Sequence, residues 1–530
     1  MKKFTHPAIV AFGTATLCTL FLTGPLVSPT HYTVYHLSGS ARSLFFAVGL
    51  EVGLLWIVLA GLLLLAEKCT SFRIPIWSGL ILFLPWVLMK NTASLMGWMM
   101  PRSISLPVLL VPCVFSTTVF CLGRRSSFYL VFNSVQRLAA TLLSSSAPIG
   151  VLVLIQLLWF GWQARNLDSS PQLHQRQIVS GSAASRTRIV WILFDELSYQ
   201  QVYEQRFPRL QLPAFDRLAM QSTIFTHTIP AGIFTEEVVP SLMTGLPVDR
   251  LNVSADGQLQ SLHNPLSGAW QAFDPHQTVF QDALNRGYST AVVGWYNPYC
   301  RILSQVLDRC SWASRFLYPG SISSEKSIPA NVVSPLRQVL SSVLMHLRFR
   351  PGPSAAETSA AEMHISDYRD LLAAGDTLLA DPSLDFAFLH MPIPHPGGIY
   401  DRKSGSFTTT HSSYIDNLAL ADQYLDHVRK LLEQHGQWDS SAVIVMGDHS
   451  WRTKLIWSSS LQWTPEEQKA SHGGKFDDRP AYIIKMPYKR EAVRIVSPFA
   501  AIHTRALLDG IIENRLRTSD GLQTWVQQQR

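Results

Sequence analysis

The sequence predicts an α-helical membrane domain of about five transmembrane helices, followed by an α/β domain with a mostly parallel sheet flanked by helices. Three observations predict it. Long apolar stretches crowd the first third of the 530 residues. Strand and helix patterns alternate over the remainder, as in a parallel sheet with helices on both faces. Two near-continuous apolar strands, far apart in the chain, also run into cation-type ligands. Arg188–Phe194 ends in Asp195 and Glu196, and Ser441–Met446 leads through Gly447 into Asp448 and His449. Such runs suit buried strands of a parallel sheet. The carboxyl ends of those strands are where open α/β sheets bind ligands.

The apolar stretches fall at roughly 7–29, 43–66, 74–99, 105–122 and 138–163. Each is long enough to cross a hydrocarbon core of about 30 Å, although Pro85, Lys90 and Asn91 interrupt the third. Lys2, Lys3, Lys68, Arg73, Arg124, Arg125 and Arg137 fall on one side, against Arg42, Lys90 and Arg102 on the other. The positive-inside rule then sets the N-terminus in the cytoplasm and everything after about residue 165 outside. The first stretch has a basic start like a signal peptide but no convincing small-residue cleavage site, and it reads as a retained anchor. The expected location is a bacterial-type inner membrane, multi-pass, with an extracytoplasmic (periplasmic) outer domain. Glu51 lies early in the second stretch, where an interfacial position is expected and a substrate head-group contact is the alternative.

The net charge of +7 comes partly from the cytoplasmic loops, and no basic-aromatic cluster points to nucleic acid. Arg402, Lys403, Lys454, Lys475 and Arg479 in the outer domain instead favour an anionic lipid or polymer. Of the six cysteines, Cys18, Cys69, Cys113 and Cys121 lie in the membrane part and read as small apolar residues. Cys300 and Cys310 are the pair in the outer domain. An oxidising compartment would join them in a local disulfide, with two reduced thiols as the alternative.

The chain therefore divides into a transmembrane domain over 1–164, a polar Ser/Gln-rich linker over 165–187, and an outer domain over 188–530. After strand 188–194, helices are expected near 197–205 and 213–220, a strand near 223–227, and a helix near 236–243. A helix at 278–286 feeds strand 289–294. Strand 385–390 precedes a Pro/Gly-rich loop, and a long helix at 411–435 precedes strand 442–446. Strand 481–486 and a helix near 498–514 complete the domain. Segments 250–276 and 318–362 read as insertions, the second as a flexible surface excursion.

Between the two strands stands Thr235, in Ala231-Gly-Ile-Phe-Thr-Glu-Glu-Val-Val-Pro-Ser-Leu242, just before a helix. It suits an N-cap, with Glu236 and Glu237 favourable in the first turn. It equally suits a nucleophile whose alkoxide is stabilised by a metal and by backbone N–H groups. His390 and His395 follow strand 385–390, and His472 precedes strand 481–486. Each is either a polar loop residue or a ligand set beside a strand end. Carboxylates mixed with imidazoles suit a divalent cation, Zn²⁺ or Mn²⁺ first and then Mg²⁺ or Ca²⁺.

The order strand-Asp/Glu, Thr-x-x-x-x-Pro-Ser-Leu, His-x-x-x-x-His, strand-Gly-Asp-His-Ser, then His-Gly resembles the alkaline phosphatase/sulfatase superfamily. Five spans before an outer domain are similar to its membrane-bound branch, the lipid A phosphoethanolamine transferases and lipoteichoic acid (phosphoglycerol) synthases. The Tyr414-Ile-Asp-Asn417…Asp422 segment also resembles a helix of that branch. The resemblance implies an alkaline phosphatase-like fold in the outer domain. It implies metal ligands at Asp195, Glu196, Asp448 and His449, with Thr235 both a ligand and the residue that carries a covalent phospho-intermediate. It implies that His390, His395 and His472 hold a second metal or the substrate.

A membrane lipid donor and an envelope glycan or lipid acceptor follow as partners, with phosphoethanolamine or phosphoglycerol as the group moved. A phosphodiesterase or other ester hydrolase is the alternative, and an inactive membrane scaffold the third. Two departures matter. Val238 stands where sulfatases carry the Cys or Ser that becomes formylglycine, with Leu242 in place of their following arginine, so formylglycine chemistry is not expected. The rich cysteine framework of many phosphoethanolamine transferases is also missing.

Overall fold

The structure is a computed structural model. It describes residues 6–95, 114, 126–168, 172–174, 186–315, 327–333, 355–410, 412–453, 463–488 and 491–529. It divides into two compact units: 1–169 with 255–257 and 317–356, and 170–254 with 258–316 and 357–530.

The first unit is helical. Helix α1 spans Pro7–Leu26, α2 Ala41–Lys68, α3 Thr70–Leu95, α4 Ser126–Ser145 and α5 Ala147–Gln163. Proline at the first helical position starts α1, and the Ser40 hydroxyl caps α2 by accepting the N–H of Ser43 at 3.1 Å. Three segments are long and apolar enough to cross a membrane: Pro7–Leu26, Ala41–Lys68 and Tyr129–Leu167. The expected fifth span therefore forms part of a longer segment, broken only at Ser146. Helix α3, on the expected third span, carries Pro75 and Pro85 and is not among the three. The expected fourth lies outside the described residues except Val114.

The helices pack closely. A Cβ on Gly13 would lie 1.9 Å from the Leu143 carbonyl oxygen, and one on Gly150 would lie 2.2 Å from the Thr16 hydroxyl. Only small residues allow such approach. Glu51, expected at an interface, is buried, and among the described residues neither carboxylate oxygen has a hydrogen-bond partner.

The second unit is built on one eight-stranded sheet. In chain order its strands are β1 Ile189–Asp195, β2 Thr223–Phe225, β3 Thr290–Trp295, β4 Arg309–Ala313, β5 Phe386–Pro394, β6 Ala442–Gly447, β7 Tyr482–Lys485 and β8 Val493–Ile495. The spatial order is β8-β2-β7-β6-β1-β5-β3-β4. Pairings are parallel except where β7 meets β6 and β2, so β7 alone runs against the rest.

Every residue of β1, β3, β5 and β6 is buried, because helices cover both faces; this is why those strands read as unbroken apolar runs. The strands at 309–313 and 493–495 were not foreseen. They are short edge or near-edge strands with mixed exposure, so they carry no such run. Segment 250–276, read as an insertion, forms a three-stranded antiparallel sheet over Arg250–Val253, Leu259–Asn264 and Ala269–Ala272. The end of segment 318–362 joins a helix, Ala355–Leu379, and the rest lies mostly outside the described residues. Instead of a full helix, 197–205 holds one π-type turn at Gln200–Glu204.

Register places the site. β1 lies between β6 and β5, with Phe194 opposite Gly447 and Leu193 opposite His390. Asp195 and Asp448 thus leave neighbouring strands side by side, with His390 on the third.

A candidate metal and nucleophile centre

The nucleophile candidate comes from the helix Thr235–Thr244. Its cap is Phe234, which has no side-chain oxygen, so Thr235 is not the N-cap; it is the first helical residue and its hydroxyl is free to act elsewhere. That hydroxyl lies 2.8 Å from Asp448 Oδ2 and 3.3 Å from Asp195 Oδ2. Negative charge on Oγ1 would face the positive end of the helix. Val238, one turn on, is fully buried and offers no nucleophile.

Two overlapping groups of ligand atoms gather here: Asp195, Glu196 and His449, and Asp195, His390 and Asp448, each within 4.8 Å of one another. All five residues are buried. Among the described residues, the second carboxylate oxygen of Asp195 and the Nε2 atoms of His390 and His449 have no hydrogen-bond partner, although His449 Nε2 stands 3.2 Å from Asp448 Oδ2. Buried polar atoms are normally satisfied, so these orphans fit a bound cation.

The tautomers agree with that. His449 Nδ1 faces the Ser450 carbonyl at 3.1 Å and is the donor, which leaves Nε2 as a bare lone pair. His390 Nδ1 lies 2.7 Å from the Tyr299 hydroxyl, a partner that can either accept or donate; when Nδ1 is the donor, Nε2 is left for an ion. Burial pushes His390 down to about 4 and His449 to about 3, so both are neutral, as metal ligands must be. Burial also pushes Asp195 well up, reinforced by the charges of Asp448 and Glu196, and it raises Asp448. The Asp195 shift reflects a crowd of carboxylates, whereas that of Asp448 comes from burial alone.

The surrounding frame is specific. Glu196 adopts a left-handed backbone (φ 65°), a strained state for a residue with a side chain. It is held there by its N–H donating to Asp448 Oδ1 at 2.9 Å and its carbonyl accepting from the Tyr414 hydroxyl at 2.7 Å. Gly447 permits the crossing, since a Cβ there would stand 2.6 Å from the Leu197 carbonyl oxygen. The helix Tyr414–Gln434 acts as a fastener. Tyr414 stacks on Trp451 at 4.2 Å, Asn417 bonds the Ile399 N–H and the His395 carbonyl, and Asp422 accepts the N–H groups of Ala214 and Phe215.

Arg452 was not foreseen. Its Nε and Nη2 donate to Glu196 Oε1 at 2.7 and 2.5 Å, and its guanidinium lies over the Phe234 ring at 5.6 Å. Burial works against its charge, but Glu196, Asp195 and Asp448 hold it protonated. The signal was its place three residues after His449. Tyr299 was missed as well, although it adjoins Cys300.

The remaining histidines are less central. His395 bonds its own loop through Nδ1 to the Pro396 carbonyl at 2.7 Å, and its ring lies 5.5 Å from that of Trp295. His472 is exposed in the turn after the helix Pro465–Ala470, and among the described residues its imidazole joins neither ligand group. Its loop is tied to the segment after Arg452, where the Thr453 hydroxyl donates to the Lys475 carbonyl at 2.9 Å. Cys300 and Cys310 form the expected disulfide, and among the described residues Cys18 and Cys69 are unpaired.

Residues 187–488 match the protein-family model described as Sulfatase. No curated protein matches the chain. Among solved structures, the phosphonate monoester hydrolase of Agrobacterium radiobacter is similar at 13% identity over 62% of this chain and 74% of that one, with a TM-score of 0.38. A Bacteroides thetaiotaomicron protein connected with glycosaminoglycan metabolism is 14% identical over 64% of this chain and 80% of that one, with a TM-score of 0.43. Murine ectonucleotide pyrophosphatase/phosphodiesterase 5 is 10% identical over 64% of this chain and 99% of that one, with a TM-score of 0.35.

Proposed function

The chain belongs to the sulfatase family and is an enzyme of the alkaline phosphatase/sulfatase superfamily, and from that premise we propose that it is a membrane-anchored, metal-dependent phosphotransferase. It moves a phospho-substituent, phosphoethanolamine or phosphoglycerol in type, from a lipid head group to an envelope glycan or lipid. The observation that carries this reading is the Thr235 hydroxyl, 2.8 Å from Asp448 Oδ2 at the mouth of the cation-type cluster. Domain 1–164 anchors the enzyme with about five spans, 165–187 links, and 188–530 works on the outer face of the inner membrane. Five spans rather than three follow from the hydropathy of 74–99 and 105–122, and the orientation from the loop charges.

Asp195, Glu196, Asp448, His449 and His390 supply the donors for a divalent ion, Zn²⁺ or Mn²⁺ by donor type, with Thr235 beside them. When bound, the ion supplies charge neutralisation at the attacked phosphorus and lowers the hydroxyl pKa. The chain's own residues do the rest. Asp448 and Asp195 orient Oγ1 and receive its proton. The Thr235 O–P bond forms as the P–O bond to the lipid alcohol breaks, and the proton passes to the departing alkoxide. An acceptor hydroxyl then attacks phosphorus, its proton returns to Thr235, and the Thr235 O–P bond breaks. His395 and His472 hold the substrate from the two loops that flank the site. Phosphoryl transfer needs mainly positioning and electrostatics, which this cluster is built to provide.

Ester hydrolysis, with water in place of the glycan, is the second reading, favoured by the description of the matched family. The test is intact-mass analysis of the full-length protein after incubation with membrane lipids. A head-group phosphate mass on Thr235 that persists until glycan is added supports transfer. Its rapid loss to water without acceptor supports hydrolysis. No adduct, together with no turnover of any phosphodiester, overturns both.

A further inference from the structure

One surface loop of the second unit carries no polar side chain. Ile229-Pro-Ala-Gly-Ile-Phe234 leads directly into Thr235, yet Ile229, Ile233 and Phe234 are 40% to 49% exposed. Surface loops are normally built from Gly, Pro, Ser, Asn and Asp, and exposed large apolar side chains are normally scattered singly. The loop is also held at both ends. Thr228–Ile229 pairs in parallel with Phe499–Ala500 at the first. At the second, the Ile233 carbonyl faces Arg452 Nη1 at 3.5 Å, and the guanidinium lies over the Phe234 ring at 5.6 Å. A further apolar side chain comes from another segment. Phe476, 39% exposed, follows Lys475, whose carbonyl accepts the hydroxyl of Thr453, next in the chain to Arg452.

We propose that Ile229, Ile233, Phe234 and Phe476 form an apolar lip that seats the acylglycerol end of a single donor lipid while its phosphodiester meets Thr235. The proposal rests on the lipid-donor reading and adds what the protein recognises in that donor, which is the fatty-acyl glycerol as well as the head group.

Position selects the ligand. Ile233 and Phe234 stand immediately before the attacking residue, so what they touch lies beside the phosphorus that Thr235 attacks. The Thr235 hydroxyl itself faces the buried carboxylates of Asp195 and Asp448. The polar part of the ligand therefore points inward, and its apolar part is left at the exposed loop. A phosphodiester joined to a long apolar group satisfies both ends. A sugar phosphate or inorganic phosphate would leave the lip in water. Lys475 is exposed and sets a cation beside Phe476, which suits an anionic lipid phosphate. Because the loop is fixed at both ends, little ordering entropy opposes binding. Burying lip and acyl chain against each other removes apolar surface from water, the main favourable contribution in sites of this kind.

The test compares kcat/KM for monomeric dihexanoyl phosphatidylethanolamine and dihexanoyl phosphatidylglycerol with kcat/KM for the deacylated glycerophosphodiesters of the same head groups. Full-length protein, exchanged from detergent into an amphipathic polymer, is used throughout. The native protein should prefer the acylated form by about tenfold or more. Ile233→Ser/Phe476→Ser should cut that ratio by about tenfold, whereas Ile233→Leu should keep it. Both substrates are read on one preparation, so a misfolded fraction cancels; a double variant too unstable to assay is replaced by Phe476→Ser, with the same outcomes. Equal turnover of acylated and deacylated diesters by the native protein overturns the lip and leaves the phosphotransferase reading intact, as does an unchanged ratio in the variant. A preference that appears only above the micelle-forming concentration assigns the loop to a lipid surface and overturns the single-lipid seat. Turnover of none of the four diesters overturns the lipid-donor reading and the lip with it.

Discussion

Thr235 and Asp448 meet through a hydroxyl–carboxylate contact of 2.8 Å, although 213 positions separate them in the chain. Two local decisions make the contact. Helix Thr235–Thr244 starts at Thr235 instead of being capped by it, and Gly447 lets β6 turn against Leu197. Thr235→Ala therefore removes the oxygen proposed to attack and leaves the cap of its helix unchanged. We expect turnover of a phosphodiester or sulfate ester to fall by about 10³-fold or more, with the melting temperature nearly unchanged. Activity close to wild type in the folded variant would exclude Thr235 as nucleophile.

Tyr299 touches a candidate ligand of the proposed ion, His390. Its hydroxyl fixes His390 Nδ1 at 2.7 Å, and Gly294 makes room, because a Cβ there would fall 2.3 Å from the tyrosine ring. Partners of this kind typically contribute 10–100-fold to metal affinity. Tyr299→Phe should weaken binding by about that factor in a competition titration with a chelator, while barely changing the far-ultraviolet circular dichroism. Unchanged affinity would mean that His390 is not a ligand.

What the sequence disclosed follows from what is local. β1 and β6 were legible because strands buried on both faces must be apolar throughout, and their carboxyl ends carry the ligands by the geometry of parallel sheets. The reversed β7 was not legible, since its residues Tyr482–Lys485 are as buried as those of a parallel strand. Thr235 was ambiguous because capping and nucleophilic roles demand the same residue before a helix, and only the Phe234 cap separates them. Arg452 and Tyr299 escaped notice because ion pairs and ring contacts between distant segments leave no periodicity. Glu51 read as interfacial from its place in the stretch; its burial depends on packing between helices.

Stability toward acid should report His364. Its Nε2 bonds the Pro392 carbonyl at 2.7 Å and its ring stacks with Trp295, and burial lowers it to about 4 from 6.5. Because the folded value lies below the unfolded one, the unfolded chain binds the extra proton between these limits. The contribution is therefore complete above pH 6.5 and is lost as pH falls toward 4. One pKa unit corresponds to about 1.4 kcal/mol, so the loss amounts to about 3 kcal/mol. His364→Gln should flatten the decline of melting temperature over that window relative to the native protein. Parallel curves for the two proteins would refute the assignment.

The disulfide couples stability to the site. Cys300 and Cys310 close a loop with a sequence separation of 10, between the short helix Tyr299–Ile302 and strand β4. A cross-link of this loop length contributes about 2–3 kcal/mol by restricting the unfolded chain. Because Tyr299 adjoins Cys300, we expect the same bond to steady the hydroxyl that meets His390 Nδ1. The Cys300→Ser/Cys310→Ser variant should lose stability by about that amount in denaturant titration. It should also bind metal more weakly than native protein under conditions where both remain folded. Combining it with Tyr299→Phe separates the two effects: stability should drop further by little, and metal affinity should fall no lower than in Tyr299→Phe alone. Additive losses of affinity would show that the disulfide reaches the site by a route other than Tyr299.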